Sequence, residues 1–270
     1  MPSTIELLEI AATVARRAGA LALQRRRDGV EVAASKSTIT DIVTRADRES
    51  EDLIRSALAA ARPRDGFLGE ESGAEYGSSG LTWVVDPIDG TVNYFYDIPA
   101  WAVSVAVVEG EPDPATWRTL AGAVVNPSTG EVFTAAVGAG ARLNGAPIHV
   151  NTGVDLPLAL VGTGFGYDPE KRRKQARFVT ELIPQVRDIR RIGAASLDLC
   201  SVACGRLDAY YERGLNPWDH AAGALIAQEA GAQLGGLGAA PAGADLLVTA
   251  APDLFGQLDP LVQAYYAHWE

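Results

Sequence analysis

Cysteine, lysine and long apolar runs are scarce in this sequence, and each scarcity excludes something. The only two cysteines, Cys200 and Cys204, lie four apart in a helix-like segment. They match neither a zinc-ligand pattern nor a redox Cys-x-x-Cys, so they read as small buried apolar residues. Lysine occurs only as Lys36, Lys171 and Lys174, with arginine in most basic positions. With a formal net charge of −11, neither nucleic acid nor an anionic membrane is expected as the main partner. No apolar run approaches the roughly 20 residues that span a bilayer. The opening Pro2, Ser3, Glu6 and Glu9 lack the basic-then-apolar order of an export signal. A cytoplasmic protein is expected.

What is present is ordinary globular material. The 270 residues are 47% hydrophobic and 21% charged, enough for a sizeable core. No linker or repeat divides them, so one domain is expected, with an α+β half over about 1–150 and an α/β half over about 151–270. Helical spacing covers residues 4–27, and a second helix is expected from Thr40–Asp47 to about Ala61, stopped by Pro63. Gly29 to Ser37 reads as a polar loop delivering Lys36, and Gly73 to Gly80 as a Gly/Ser-rich loop. Strands are expected at Leu81–Val85, Ala102–Val108, Ala121–Asn126 and Glu131–Ala136. These form an antiparallel meander with a hairpin turn at Asn144-Gly145. Further on come a strand at Ala159–Gly162, a basic helix over Pro169–Val186 with a solvated charged face, and a helix after Arg190 with Ser196 as its N-cap. A strand at Tyr210–Glu212, a helix from Pro217 to near Gly231, a strand at Asp245–Thr249 and a last helix complete the chain.

The most informative stretch is Trp83-Val-Val-Asp-Pro-Ile-Asp-Gly-Thr-Val-Asn-Tyr-Phe95. A buried strand runs into two carboxylates, a proline, a glycine and a threonine, so a tight turn is expected with Asp86 and Asp89 facing one point from opposite sides. Gly90 permits close backbone approach, and the Gly90 and Thr91 amides are candidate anion donors. Carboxylates beside anion-binding amides need cations between them, which points to metal-bridged phosphate chemistry. Competing motifs fail: Val85, Pro87 and Tyr96 spoil an EF-hand loop, Ser35 spoils a P-loop, and Tyr167 spoils a dinucleotide fingerprint.

These thirteen residues resemble the metal-binding signature of the inositol monophosphatase family of lithium-sensitive, magnesium-dependent phosphatases. Three further features agree with it in order: Lys36, Asp41, Thr44 and Asp47 at the family's spacing, Gly69-Glu70-Glu71-Ser72, and Trp218-Asp219-His220-Ala221-Ala222-Gly223. The resemblance implies a layered αβαβα sandwich, an α/β (α+β) fold, usually as a homodimer. It implies that Glu70, Asp86 and the Ile88 carbonyl hold one Mg²⁺ and that Asp86, Asp89 and Asp219 hold a second. A third, weaker ion would sit near Glu70, and Mn²⁺ could substitute. Thr91, supported by Asp47, would activate water, and the Gly90 and Thr91 amides would hold phosphate. Gly193, Ala194, Ala195 and Glu212, with Asp89 and Asp219, would face the substrate. Lys36, Asp41 and Glu71 would support the site. The implied reaction is hydrolysis of a small phosphorylated polyol, myo-inositol 1-phosphate first, with histidinol phosphate as the alternative. A regulatory binding role on the same fold is a further alternative.

Overall fold

The computed structural model describes residues 2–30, 32–35, 42–110 and 113–267. In chain order the elements begin with α1 (Thr4–Asp28), β1 (Val32–Ser35), β2 (Ile42–Thr44), α2 (Arg45–Ala61), β3 (Gly66–Gly69), β4 (Gly73–Glu75), β5 (Leu81–Asp89) and α3 (Thr91–Phe95). The meander follows as β6 (Ala102–Glu109), β7 (Arg118–Asn126), β8 (Glu131–Ala136), β9 (Ala141–Leu143) and β10 (Ala146–Pro147). The rest is β11 (Leu160–Thr163), α4 (Pro169–Leu182), β12 (Asp188–Arg190), α5 (Ala195–Ala203), β13 (Ala209–Glu212), α6 (Pro217–Glu229), β14 (Gln233–Gly235), β15 (Leu247–Ala250) and α7 (Pro252–Tyr266).

Strand β6 shows why the layers stack as they do. It is buried from Ala102 to Val108, and apolar there except at Ser104, because both faces are covered. Val103, Val105 and Val107 meet α1 and α2, while Ala102, Ala106 and Val108 meet α5 and α6. The sheet carrying β6 runs β10-β9-β8-β7-β6-β5-β3-β4, and a second runs β12-β11-β13-β15-β14. Leu199 and Val202 of α5 pack on Tyr210 and Leu247 of the second sheet, whose other face holds α4 and α7 through Phe178, Leu254, Leu258 and Val262. The order is therefore helices, sheet, helices, sheet, helices: the expected αβαβα sandwich. Among the described residues, no helix is long and apolar enough to cross a membrane.

Several local expectations change. Part of the loop between α1 and α2 is strand β1, antiparallel to β2, so Ile42–Thr44 is strand and the helix begins at Arg45. Pairing with β3 makes β4 out of the start of the Gly/Ser-rich loop. The basic helix stops at Leu182 and continues as a 3₁₀ turn over Ile183–Gln185, because Pro184 cannot extend the α ladder. The N-cap of α5 is Ala194, with Ser196 already inside the helix.

The largest change is in β5, which runs on to Asp89. By the two-residue period of a strand, Asp86 and Asp89 belong on opposite faces. A register shift against β6 between Asp86 and Asp89 resets the count. Val84 faces the α5/α6 layer and Asp86 follows its parity, while Ile88 drops to the other side among Ala22, Ala46, Tyr94 and Trp101. Asp89 then returns to the α5 side, where it meets Ser196. The bulge, rather than a tight turn, aims both carboxylates at one place.

Candidate active site

A cavity of about 670 Å³ lies where the end of β5 faces the starts of α5 and α6. Glu70, Asp86, Ile88, Asp89, Gly90 and Thr91 line one wall. Gly193, Ala194, Ala195, Glu212 and Asp219 line the other. Of the remaining expected residues, Asp47 stands behind Thr91, and Glu71 is off the cavity with its N–H donating to Glu51 Oε2 at 2.9 Å. Lys36 and Asp41 lie outside the described residues.

Asp86 is 2% exposed and its Oδ1 accepts the Ile88 N–H at 3.0 Å. Burial holds its carboxyl well above the usual range, reinforced by Glu70, Asp89 and Asp219 and by a hydrogen bond with Glu70. Asp89 is pushed up to about 6 by burial, against hydrogen bonds from Ser196. Asp219 is raised by burial, then by Glu70 and Asp89, despite the Asn216 N–H donating to its Oδ2 at 2.6 Å. Glu70 raises the proton affinity of Asp86, Asp89 and Asp219, so these carboxylates lie within electrostatic reach of one another. Among the described residues, no three His, Cys, Asp or Glu side chains stand in an arrangement that could itself hold a metal ion.

Gly90 joins the strand to α3 at φ 90, a left-handed conformation that favours glycine. A Cβ there would stand 3.0 Å from Ala100 O and 3.1 Å from Ala194 Cβ, so the two cavity walls touch at this point. Thr91 Oγ1 donates toward Ile88 O at 3.1 Å or Asp47 Oδ1 at 3.4 Å. Asp47 has two jobs, one per oxygen: Oδ2 accepts the Thr44 N–H at 2.8 Å, capping α2, while Oδ1 faces Thr91. Burial lifts Asp47 to about 7 even though the Thr44 hydrogen bonds pull it down. Beneath them the Tyr94 hydroxyl donates to Ala22 O at 2.9 Å, and its ring meets Trp101 edge-on at 4.9 Å, locking α3 to α1.

Glu212 ends β13, accepts a short hydrogen bond from the Tyr210 hydroxyl, and is raised to about 7 by burial, eased by Tyr210 and Arg191. The reading of the sequence assigned no role to Arg191, which lines the cavity beside Gly193. The arginine-rich run before Gly193 was its only signal. Ser196 was read as a cap, and nothing local shows its contact with Asp89.

Solved structures define the class first. The chain superposes on Mycobacterium tuberculosis SuhB with TM-score 0.83 at 42% identity, covering 98% of each chain. It superposes on the Thermotoga maritima IMPase with TM-score 0.85 at 27% identity, covering 97% of this chain and 98% of that one. The fold is thus the αβαβα sandwich of these phosphatases. By sequence it is 48% identical over 267 residues to the Mycobacterium tuberculosis protein named inositol-1-monophosphatase SuhB, covering 91% of this chain and 90% of that protein. It is 38% identical over 231 residues to the Escherichia coli protein named Nus factor SuhB, covering 83% of each. The chain belongs to the inositol monophosphatase family, whose model matches residues 4–258.

Proposed function

We propose that this protein is a magnesium-dependent phosphate monoester hydrolase acting on a phosphorylated polyol, with myo-inositol 1-phosphate as its best substrate. The observation that carries the reading is the convergence of Glu70, Asp86, Asp89 and Asp219, from three parts of the chain, on one cavity that Glu212 also lines. Four buried or partly buried carboxylates that raise one another's proton affinity fit a cation site. An all-oxygen donor set fits Mg²⁺ or Mn²⁺ better than zinc.

In this reading Glu70, Asp86 and the Ile88 carbonyl would hold one ion, Asp86, Asp89 and Asp219 would hold a second, and Glu70 would help hold a third. When bound, the ions supply neutralisation of the phosphate charge and Lewis acidity toward the attacking water and the leaving oxygen. Thr91 accepts a hydrogen bond from that water while its own proton points to Ile88 O or Asp47. Asp47, buried behind Thr91, accepts a hydrogen bond from the Thr91 hydroxyl and so orients it. The Gly90 and Thr91 amides hold the phosphate. Glu212 accepts from a substrate hydroxyl, and Gly193, Ala194 and Ala195 shape the remaining wall. With little covalent work for side chains, positioning and charge neutralisation supply the rate.

The test is a panel of myo-inositol 1-phosphate, histidinol phosphate, fructose 1,6-bisphosphate and 3′-phosphoadenosine 5′-phosphate with Mg²⁺, with and without lithium. The highest kcat/KM is expected on the inositol phosphate, with lithium inhibiting. Turnover confined to histidinol phosphate would replace the substrate, and turnover of none would remove the hydrolase. A second reading, a regulatory binding role on the same fold, is favoured by the relative named Nus factor SuhB at 38% identity. An Asp89→Asn chain that loses turnover but keeps the cellular role would favour it.

A further inference from the structure

Ser196 is shared between the β5 carboxylates and the helix beside the substrate wall. Helix α5 opens on Ala194, which has no side chain that can cap it. Its cap comes from a residue 107 positions away: Asp89 Oδ2 accepts the Ser196 N–H at 2.7 Å and also the Ser196 hydroxyl. Ser196 is fully buried and Asp89 is 8% exposed. An amide could come from any residue but proline at this position. The hydroxyl is different, because only serine or threonine places a second, hydroxyl donor on the same carboxylate oxygen, and Ala194 and Ala195 offer none.

A carboxylate has two oxygens, each able to accept more than once. Both Ser196 donors take Oδ2 and the Ala195 N–H also reaches this carboxylate, so Oδ1 is the oxygen with room for a cation. The same pair of bonds stops the carboxylate from rotating and seats the α5 N-terminus against the β5 loop, where Ala194 already touches Gly90. We infer that the Ser196 hydroxyl is a positioning group that holds Asp89 as a one-oxygen ligand and thereby sets the cation affinity of the cavity. This inference rests on the cation reading above. A purely structural cap would instead stabilise α5 and leave ion affinity alone.

The two roles separate by experiment. Wild type, Ser196→Ala and Ser196→Thr are stripped of metal and titrated with Mg²⁺ by calorimetry, with the fluorescence of Trp218, which lines the cavity, as a second readout. Outer partners of metal ligands typically contribute about ten-fold or more in affinity. Ser196→Ala is therefore expected to bind Mg²⁺ about ten-fold more weakly or worse, with little change in the ion-free melting temperature. Ser196→Thr keeps the hydroxyl and should bind near the wild-type value. Wild-type affinity in Ser196→Ala overturns the inference, as does a threonine variant as weak as alanine. Should the alanine variant not fold, Ser196→Cys, which keeps the size and weakens the donor, is judged by the same loss of affinity. A wild type that binds no Mg²⁺ sinks the cation reading itself, a result distinct from failure of the serine alone.

Discussion

Helices α1 and α6 each open on a reciprocal cap. In α1 the Ser3 hydroxyl accepts from the Glu6 N–H at 3.2 Å, and Glu6 Oε2 accepts from the Ser3 N–H at 2.7 Å. In α6 Asp219 Oδ2 accepts the Asn216 N–H at 2.6 Å, and the Asp219 N–H donates back to the Asn216 carbonyl oxygen at 3.2 Å. Glu6 is exposed, and the Ser3 hydrogen bonds hold its carboxyl below the usual value. Asp219 is held above it, because burial and the charges of Glu70 and Asp89 outweigh an equivalent bond. A cap marks where a helix begins. Like charges crowded around a cap mark a site, since a folded chain tolerates them only where something else compensates. Asp47 of α2 lies between the two cases, capping with one oxygen and facing Thr91 with the other.

Replacing the two caps should give opposite results. Asp219→Asn keeps an acceptor at the third helical position and removes a repelled charge. Its fold and ion-free melting temperature should survive while kcat/KM falls by about 10²–10³ or more, the scale of losing one preorganised electrostatic group. Activity within tenfold of wild type would break the distinction. Next in size is the response to Mg²⁺. At about 100 times Kd, binding contributes about 2.7 kcal/mol, a rise of about 5–10 °C for a chain of this length. Thermal melts should show that rise in wild type and Glu6→Gln and not in Asp219→Asn.

A smaller effect follows from pH. Asp47 and Glu212 are both raised to about 7, from ordinary values of 3.8 and 4.5. An acid whose folded pKa is raised binds more protons folded than unfolded, so its contribution is fully present below the lower value and lost as pH rises through the higher one. Ion-free protein should therefore lose this stability between about pH 4 and 7, and Glu212→Gln should flatten part of the slope in melts across that window. An unchanged slope in the variant would contradict it. Smallest of all is Glu6→Gln, which should leave kcat/KM unchanged and barely move the melting temperature.

How far each feature could be read from the sequence depended on whether its cause was local. Strand β8 was expected at Glu131–Ala136 and is found there, because its Val132-Phe133-Thr134 centre favours a strand and turns flank it. The short strands β1, β4 and β14 were missed, since three or four residues become strand only through a partner. The carboxylates were legible because their residue types recur in separate motifs, yet Asp-Pro-Ile-Asp reads as a turn and proves to be a bulged strand paired with β6. A local rule reads Ser196 as a cap, but Ala194 holds that position and Ser196 lies inside the helix. The contact that matters joins it to Asp89, and no window along the chain spans that distance.

The central claim is that four carboxylates from three parts of the chain act as one cation-holding unit. Equilibrium dialysis of Mg²⁺ against metal-free wild type and Asp86→Asn tests it most directly. Saturable binding of two or more ions per chain in wild type, collapsing in a variant that melts as wild type does without metal, is the predicted result. Equal binding in both proteins, or none in either, would contradict it.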